Sequence, residues 1–505
     1  MTRSPSKLIP EDFSPIPTLE SSASVEVVAV DGFGDVLDAV GVLVHDEGAL
    51  PDGAELDREA LARLGFDAKP GQTLVVPASG TLLVLVGAGP AAEASGAGLR
   101  DAAAAFVRAV PKAARIGVHV PDGAGVAGSE AGRTLAEGVL LGRYRYDALK
   151  SEPREARLER VELRVDGTAL DDVADGAAEG RVTARAAALT RDLANTPPSH
   201  LTATDLADVA ELLGGRFGFE VEVFDKQQLI ELGCGGILGV NAASAEEPRM
   251  VVLRYTPEGT PTGHLGLVGK GIMYDSGGIS LKPSDPAHLL MKMDMGGAAA
   301  VLGAFTALRD LGATARVTGW LMCTDNMPSG SAYKLGDVLT ARGGTTVEVK
   351  NTDAEGRLAM MDALVLADEE GVDAIVDIAT LAGSAMRALG ETHAVTLGTS
   401  QALVDRLLEA GIATDELAWQ FPLQRKYRKL MDSDVADIAN LGGTNAGATT
   451  AALFLAEFVG ETPWAHLDIA GTMNAESDDS WRSKGSTGYG ARLLVELARG
   501  FTPVS

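Results

Sequence analysis

Asp353 and Glu355 stand two residues apart in the run Asn351 to Leu358, NTDAEGRL, which also carries Arg357 and follows the alternating segment TTVEVK. In an extended backbone, residues i and i+2 point to the same side. Both carboxylates would then converge at a strand end, an arrangement better suited to hard divalent cations than to packing. Upstream, KGIMYDSGGI places a third carboxylate, Asp275, between Lys270 and a Ser-Gly-Gly turn, and MKMDMGGAAA supplies a fourth, Asp294. Acids gathered in one place repel each other unless positive charge lies among them. The chemistry these residues point to is metal chemistry.

Each feature also has a plainer reading. An isolated D-x-E serves as solvated loop acids, or caps a helix beginning near Arg357, where the helix dipole favours carboxylates. Lys282, in SLKPS, would by itself be a surface lysine. The combination outweighs these readings: the glycines of DSGG permit close backbone approach to a bound group, and Lys270 and Lys282 flank Asp275. The seven histidines are scattered, with no HExxH and no Cys-x-x-Cys, so a zinc site built on imidazoles is not supported. Oxygen ligands would suit Mn or Mg as well as Zn. His466, in AHLDIAG, reads as a strand histidine with a satisfied hydrogen bond.

Elements that could position these groups follow from the hydrophobic pattern. From about Ser24 to Val165, strands such as SVEVVAV, TLLVLVG and ARIGVHV enclose a helix, LRDAAAAFVRAV. RVTARAAALTRDLAN has helical spacing and is stopped by Pro197-Pro198. Thr202 with Asp205 forms a capping box for a helix that should end at Gly214-Gly215. Short apolar strands then alternate with helices (FEVEVF, MVVLRY, GLVGKG, ARVTGWLM, TTVEVK, DAIVDI, AHLDIA). The expected class is α/β, with a larger C-terminal domain whose sheet is mixed, mostly parallel in its middle and covered by helices. The division expected is a flexible leader over 1–23, an N-terminal α/β domain over 24–175, a linker helix over 176–195 and a catalytic domain over 196–505. Lys270, Asp275 and Asp353 should all fall just after strands, at carboxyl ends where such sheets bind ligands.

Composition narrows the function. The chain has 505 residues, 46% of them hydrophobic, and a formal net charge of -27, which weighs against a phosphate-backbone partner. Two cysteines, Cys234 and Cys323, give no disulfide framework, so a cytoplasmic home is expected. The N-terminal stretch lacks the apolar core of a signal peptide. No run of eighteen apolar residues occurs, so no membrane partner is expected.

KGIMYDSGGISLKPS, MKMDMGGAAA, NTDAEGRLAMMDAL, DIATLAG and HLDIAG, in this order, resemble the leucyl aminopeptidase (cytosol aminopeptidase) family of dinuclear metallo-exopeptidases, over roughly residues 190 to 500. The resemblance implies two divalent ions per subunit, one held by Asp275, Asp353 and Glu355, the other by Lys270, Asp275, Asp294 and Glu355. It further implies Lys282 as the cation that stabilises the tetrahedral oxygen and Arg357 as the holder of a bicarbonate proton shuttle. Lys270 can ligate only as a neutral amine, so the ions must depress its pKa. Met291, Thr380, Ala470 and Met473 match the first side-chain pocket, with backbone at Leu381 touching substrate. The activity implied is release of Leu- or Met-like residues from peptides with a free amino terminus. Also implied are a macro-like N-terminal domain and a homohexamer. The stretch between Lys282 and Asp294 is one residue longer than the usual form, and the closing segment also departs from it, which bears on side-chain preference.

Two rival readings remain. VGAGPAAEASG resembles the loop of a nucleotide-binding N-terminal domain, but lacks G-x-G-x-x-G spacing and has Pro90 where a helix should begin. An additional DNA-binding or regulatory role runs against the acidic balance.

Overall fold

The computed structural model describes residues 9–504 except 11, 35, 49, 51–55, 79, 122–124, 153 and 154. The chain divides into two compact units.

The first unit comprises Ile16–Ala188 together with Ala475–Gly485. Its six strands are β1 (Glu26–Ala29), β2 (Ala39–His45), β3 (Thr73–Ala78), β4 (Thr81–Gly89), β5 (Arg115–Val120) and β6 (Arg160–Val165), in the order β1-β6-β5-β2-β4-β3. All neighbours are parallel except β3 and β4. Leu99 and Phe106 of the helix Gly96–Ala109, and Leu135 and Val139 of Gly128–Arg143, share a core with Val84, Ile116 and Val161 of the sheet. The glycines that end β4 serve backbone packing. A β carbon on Gly87 would lie 2.1 Å from the Lys69 carbonyl oxygen, and Gly89 has φ +67° beside Pro70. A 3₁₀ turn, Ala91–Glu93, follows Pro90, and the next α-helix begins at Gly96, capped by Ser95. Within the expected leader, Thr18–Ser24 is a short helix, and Phe13, Ile16 and Leu19 are buried; residues 1–8 and 11 lie outside the described residues.

The expected connecting helix runs Leu170–Asn195, starting ahead of residue 176. The second unit, Leu189–Asn474 and Ser486–Ser505 with residues up to Pro15, holds an eight-stranded sheet. Its first four strands are β7 (Glu220–Phe224), β8 (Arg249–Tyr255), β9 (His264–Asp275) and β10 (Arg316–Asn326). A small sheet of β11 (Val338–Thr340), β12 (Thr346–Glu348) and β16 (Ile438–Ala439) stands beside it. The large sheet is completed by β13 (Ala374–Ala379), β14 (Ala394–Gly398), β15 (Ala418–Gln420) and β17 (Trp464–Asp468), in the order β15-β14-β17-β13-β9-β10-β8-β7. The middle run β17-β13-β9-β10 is parallel; the flanking pairs β14–β17, β8–β10 and β7–β8 are antiparallel, and the edge pair β14–β15 is parallel. This is the mixed sheet the alternating pattern implies.

Three local expectations are corrected. The helix Ala203–Phe217 has the capping box of Thr202 and Asp205 but passes through Gly214-Gly215, ending at Gly218 with φ 75°. Gly214 is there for space, since a β carbon would lie 2.7 Å from the Phe219 carbonyl oxygen. Lys270 lies inside β9 rather than after it. Gly269 does not break that strand; it lets the helix Gly296–Leu308 approach, its absent β carbon falling 2.7 Å from Ala298 Cα. Finally, β12 stops at Glu348, so Asp353 sits in a turn and Glu355 opens the helix Glu355–Glu370. The two acids therefore do not share one face of an extended strand.

The stretch Pro286–Leu308 is long and apolar enough to cross a membrane by length and composition, but 78% of its most apolar eighteen residues is buried. Its longer helix, Gly296–Leu308, is core.

Candidate metal centre

Lys270 and Asp275 lie an odd number of residues apart on β9, which in a regular strand would send them to opposite faces. A bulge removes the conflict. Between the pairs Thr324↔Ile272 and Asn326↔Asp275, β10 advances two residues while β9 advances three. The extra residue turns Asp275 onto the side of Lys270. Asp294 follows a 3₁₀ turn and precedes the helix Gly296–Leu308. Glu355 opens its helix, where the dipole favours negative charge.

The side chains meet. Lys270 Nζ lies 2.8 Å from Asp294 Oδ2 and 2.9 Å from Glu355 Oε1, and donates to the Thr380 carbonyl at 2.8 Å. Lys282 Nζ lies 2.8 Å from Asp275 Oδ2 and 2.6 Å from Asp353 Oδ1. Asp275, Asp353 and Glu355 each offer an oxygen within 4.8 Å of the others. Lys270, Asp275, Asp294 and Glu355 are buried, and Asp353 is half-buried.

Electrostatics follow from this crowding. Burial, then the charge of Glu355, lifts the Asp275 carboxyl to about 6. Burial likewise raises Asp294 and Asp353. Burial works upward on Glu355 too, but Lys270 and Lys282 outweigh it and hold that carboxyl below its ordinary value. For both lysines burial pulls downward and the acids win, so each ammonium is held above the usual lysine range. Four acids thus face two cations of the protein's own. Glu355 Oε2 is buried without a hydrogen-bond partner. A buried carboxylate oxygen left so is costly, and its chemistry fits an added cation. An all-oxygen set with one amine suits Mn, Mg or Zn.

The remaining sequence candidates have these places. Arg357 lies in the first turn of the same helix as Glu355. Its Nη1 donates to the Asn440 carbonyl at 2.9 Å, and its buried Nε has no partner. Burial brings its pKa down to about 10. Thr380 donates its hydroxyl to Asp294 Oδ1 at 2.7 Å, joining it to the acids. Leu381 and Ala470 donate backbone N–H groups to Asp468 Oδ1 at 3.3 and 3.1 Å. Met291 is half-buried. Met473 is buried over Gly296, whose absent β carbon would fall 2.7 Å from its sulfur.

Sequence reasoning missed three residues here. Asn326 donates to Asp275, Tyr333 donates to the Thr352 carbonyl, and Asp468 gathers the backbone after Thr380. Asp468 stands in the quoted HLDIAG motif, but a bare Asn or Tyr in TDNMPSGSAYK carries no spacing that marks it.

Comparison with known proteins adds to this geometry. The family described as "Cytosol aminopeptidase family, catalytic domain" matches residues 188–495, and "Cytosol aminopeptidase family, N-terminal domain" matches residues 42–153. A "Probable cytosol aminopeptidase" of Chlorobaculum tepidum is 45% identical over 379 residues, covering 73% of this chain and 75% of that protein. One of Clavibacter michiganensis subsp. michiganensis is 41% identical over 499 residues, covering 94% and 97%. Among solved structures, "Bottromycin maturation enzyme BotP in complex with Mn" superposes with a TM-score of 0.84 at 39% identity, covering 92% of this chain and 99% of that one.

Proposed function

This chain belongs to the cytosol aminopeptidase family and is a metal-dependent aminopeptidase; we propose that it releases Leu- or Met-like residues from the free amino termini of peptides at a centre for two divalent ions. Asp275, Asp353 and Glu355 would hold one ion, and Lys270, Asp275, Asp294 and Glu355 the other, with manganese or zinc as the resident metal and magnesium a third fit. When bound, the ions supply Lewis acidity toward the scissile carbonyl and lower the pKa of water.

The chain's own groups do the rest. Lys282 is a cation already at the acids, and would stabilise negative charge developing on the substrate oxygen. The Arg357 fork has an unpartnered buried Nε, which suits a planar carbonate-shaped anion; Arg357 would hold bicarbonate there, and that anion would supply a proton relay. Met291, Thr380, Leu381, Ala470 and Met473 would form the first side-chain pocket; two adaptable methionines favour unbranched or γ-branched apolar residues. A homohexamer in the cytoplasm, with the N-terminal unit making contacts between trimers, completes the proposal.

The observation that carries this reading is the gathering of four acids around two lysines with Glu355 Oε2 left over. The test uses leucine anilide and its N-acetylated form. Chelation should abolish hydrolysis of the free-amine reporter, Mn or Zn should restore it, and the acetylated reporter should resist. Hydrolysis indifferent to chelation, or equal cleavage of the blocked reporter, overturns the reading. Light scattering on the eluted protein tests the hexamer.

A further inference from the structure

Asn326 closes β10, is fully buried, and is brought opposite Asp275 by the bulge in β9. Its Nδ2 donates to Asp275 Oδ1 at 2.8 Å and to the Thr352 carbonyl at 2.9 Å. An amide nitrogen has two hydrogens, and both are used. The amide cannot be turned over, because both neighbours are acceptors and its oxygen would then face theirs. Its main chain is fixed as well, since the Ser276 N–H and hydroxyl both donate to the Asn326 carbonyl, at 3.0 and 2.6 Å. Gly278, with φ +68°, leaves room for the amide oxygen; a β carbon there would lie 2.9 Å from Oδ1.

Asp275 Oδ1 accepts a second hydrogen bond, from the Gly277 N–H at 2.8 Å. Its two lone-pair directions are therefore filled by N–H donors. Oδ2 faces the other way, toward Lys282 Nζ. We propose that Asn326 is a positioning residue: it occupies Oδ1 of Asp275 and so reserves Oδ2 alone for cations, while its second hydrogen fixes the carbonyl just ahead of Asp353. This rests on Asp275 being a metal ligand, as argued above. Partners of ligands orient them and raise affinity, typically by about 10- to 100-fold.

Tyr333 separates the two jobs of Asn326. Its hydroxyl donates to the same Thr352 carbonyl at 2.8 Å, with no bond to Asp275. The experiment compares Asn326→Leu, which keeps the branching of Asn without its polar atoms, with Asn326→Ala and Tyr333→Phe, all in the full chain. Mn²⁺ affinity is measured by equilibrium dialysis, and the melting of the chelated protein reports folding. Expected is a loss of Mn²⁺ affinity of about 10-fold or more in both Asn326 variants at unchanged chelated melting, with Tyr333→Phe near wild type. Wild-type affinity in a folded Asn326 variant, or an equal loss in Tyr333→Phe, overturns the proposal. Crystals of the wild type grown with Mn²⁺ give an answer even if neither Asn326 variant folds: manganese on Oδ2 and not on Oδ1 supports the proposal, and manganese on Oδ1 sinks it. Crystals with no manganese at Asp275 remove the metal-centre reading itself, and this proposal with it.

Discussion

Gly356 lies against the buried stem of Lys270 so closely that a β carbon there would fall 2.5 Å from Cε and 2.7 Å from Nζ. Glycine loses more conformational freedom on folding than any other residue, and the chain bears that cost one residue from Glu355 because nothing larger lets the ammonium reach the acids.

Gly356→Ala should therefore displace Lys270, lowering stability by about 1–3 kcal/mol through overpacking and removing most hydrolysis of leucine anilide. Gly215→Ala, inside the helix Ala203–Phe217 and facing open space, is the contrast. It should stabilise by up to about 1 kcal/mol and leave turnover alone. Urea melts and rates on both variants check the pair; equal behaviour refutes the steric account.

Lys282→Met separates binding from catalysis. If Lys282 acts on charge that develops in the transition state, kcat should fall by about 10²- to 10³-fold, with KM and bound metal little changed. A variant with wild-type kcat would show the lysine to be only a counter-charge for Asp275 and Asp353.

Metal uptake should release protons. In the ion-free protein Lys270 holds its ammonium among Asp294 and Glu355, yet only the neutral amine can ligate. Calorimetric Mn²⁺ titrations in buffers of differing ionisation enthalpy should show about one proton released per subunit on this account, and none from this source in Lys270→Met. Identical heats across buffers in the wild type would exclude ligation by the amine.

His466 gives a pH dependence of opposite character to an acid's. Burial disfavours its imidazolium, but Asp377, 2.5 Å away, outweighs this and lifts the ring to about 9. A folded pKa above the unfolded one means stability fully present below about pH 6.5 and lost as pH rises through 9. Relative to His466→Gln, the chelated wild type should lose stability between pH 6 and 10, at no more than about 1.4 kcal/mol per pH unit. A constant difference across that range would mean that the ring stays neutral.

Much of the centre was legible because its acids sit in short, glycine-punctuated runs whose spacing has few structural uses. The strands were legible too, from apolar alternation in segments such as FEVEVF and MVVLRY, found at β7 and β8. The route by which the acids converge was hidden. Asp353 and Glu355 meet through a turn and a helix start, and Asp275 joins Lys270 through a bulge. A bulge is set by pairing with a neighbouring strand, which local sequence does not encode. Glycines misled for a related reason: Gly214 read as a stop and Gly87 as part of a loop, while each actually makes room for another stretch of backbone. Asn326 stayed invisible because its importance comes from what it faces.

The segment Ala475–Gly485 belongs to the first unit although it lies near the end of the chain. Trp481 within it is buried with Leu141, Ala184 and Ala187, and Arg108 donates to the carbonyls of Ser480 and Arg482. On the ribosome, Ile16–Ala188 must therefore wait, the seam over Leu141 and Ala187 open, until Ala475–Gly485 has emerged. Nascent chains cut short ahead of Trp481 should carry this exposed seam, making it a natural handle for chaperones and for quality-control proteases.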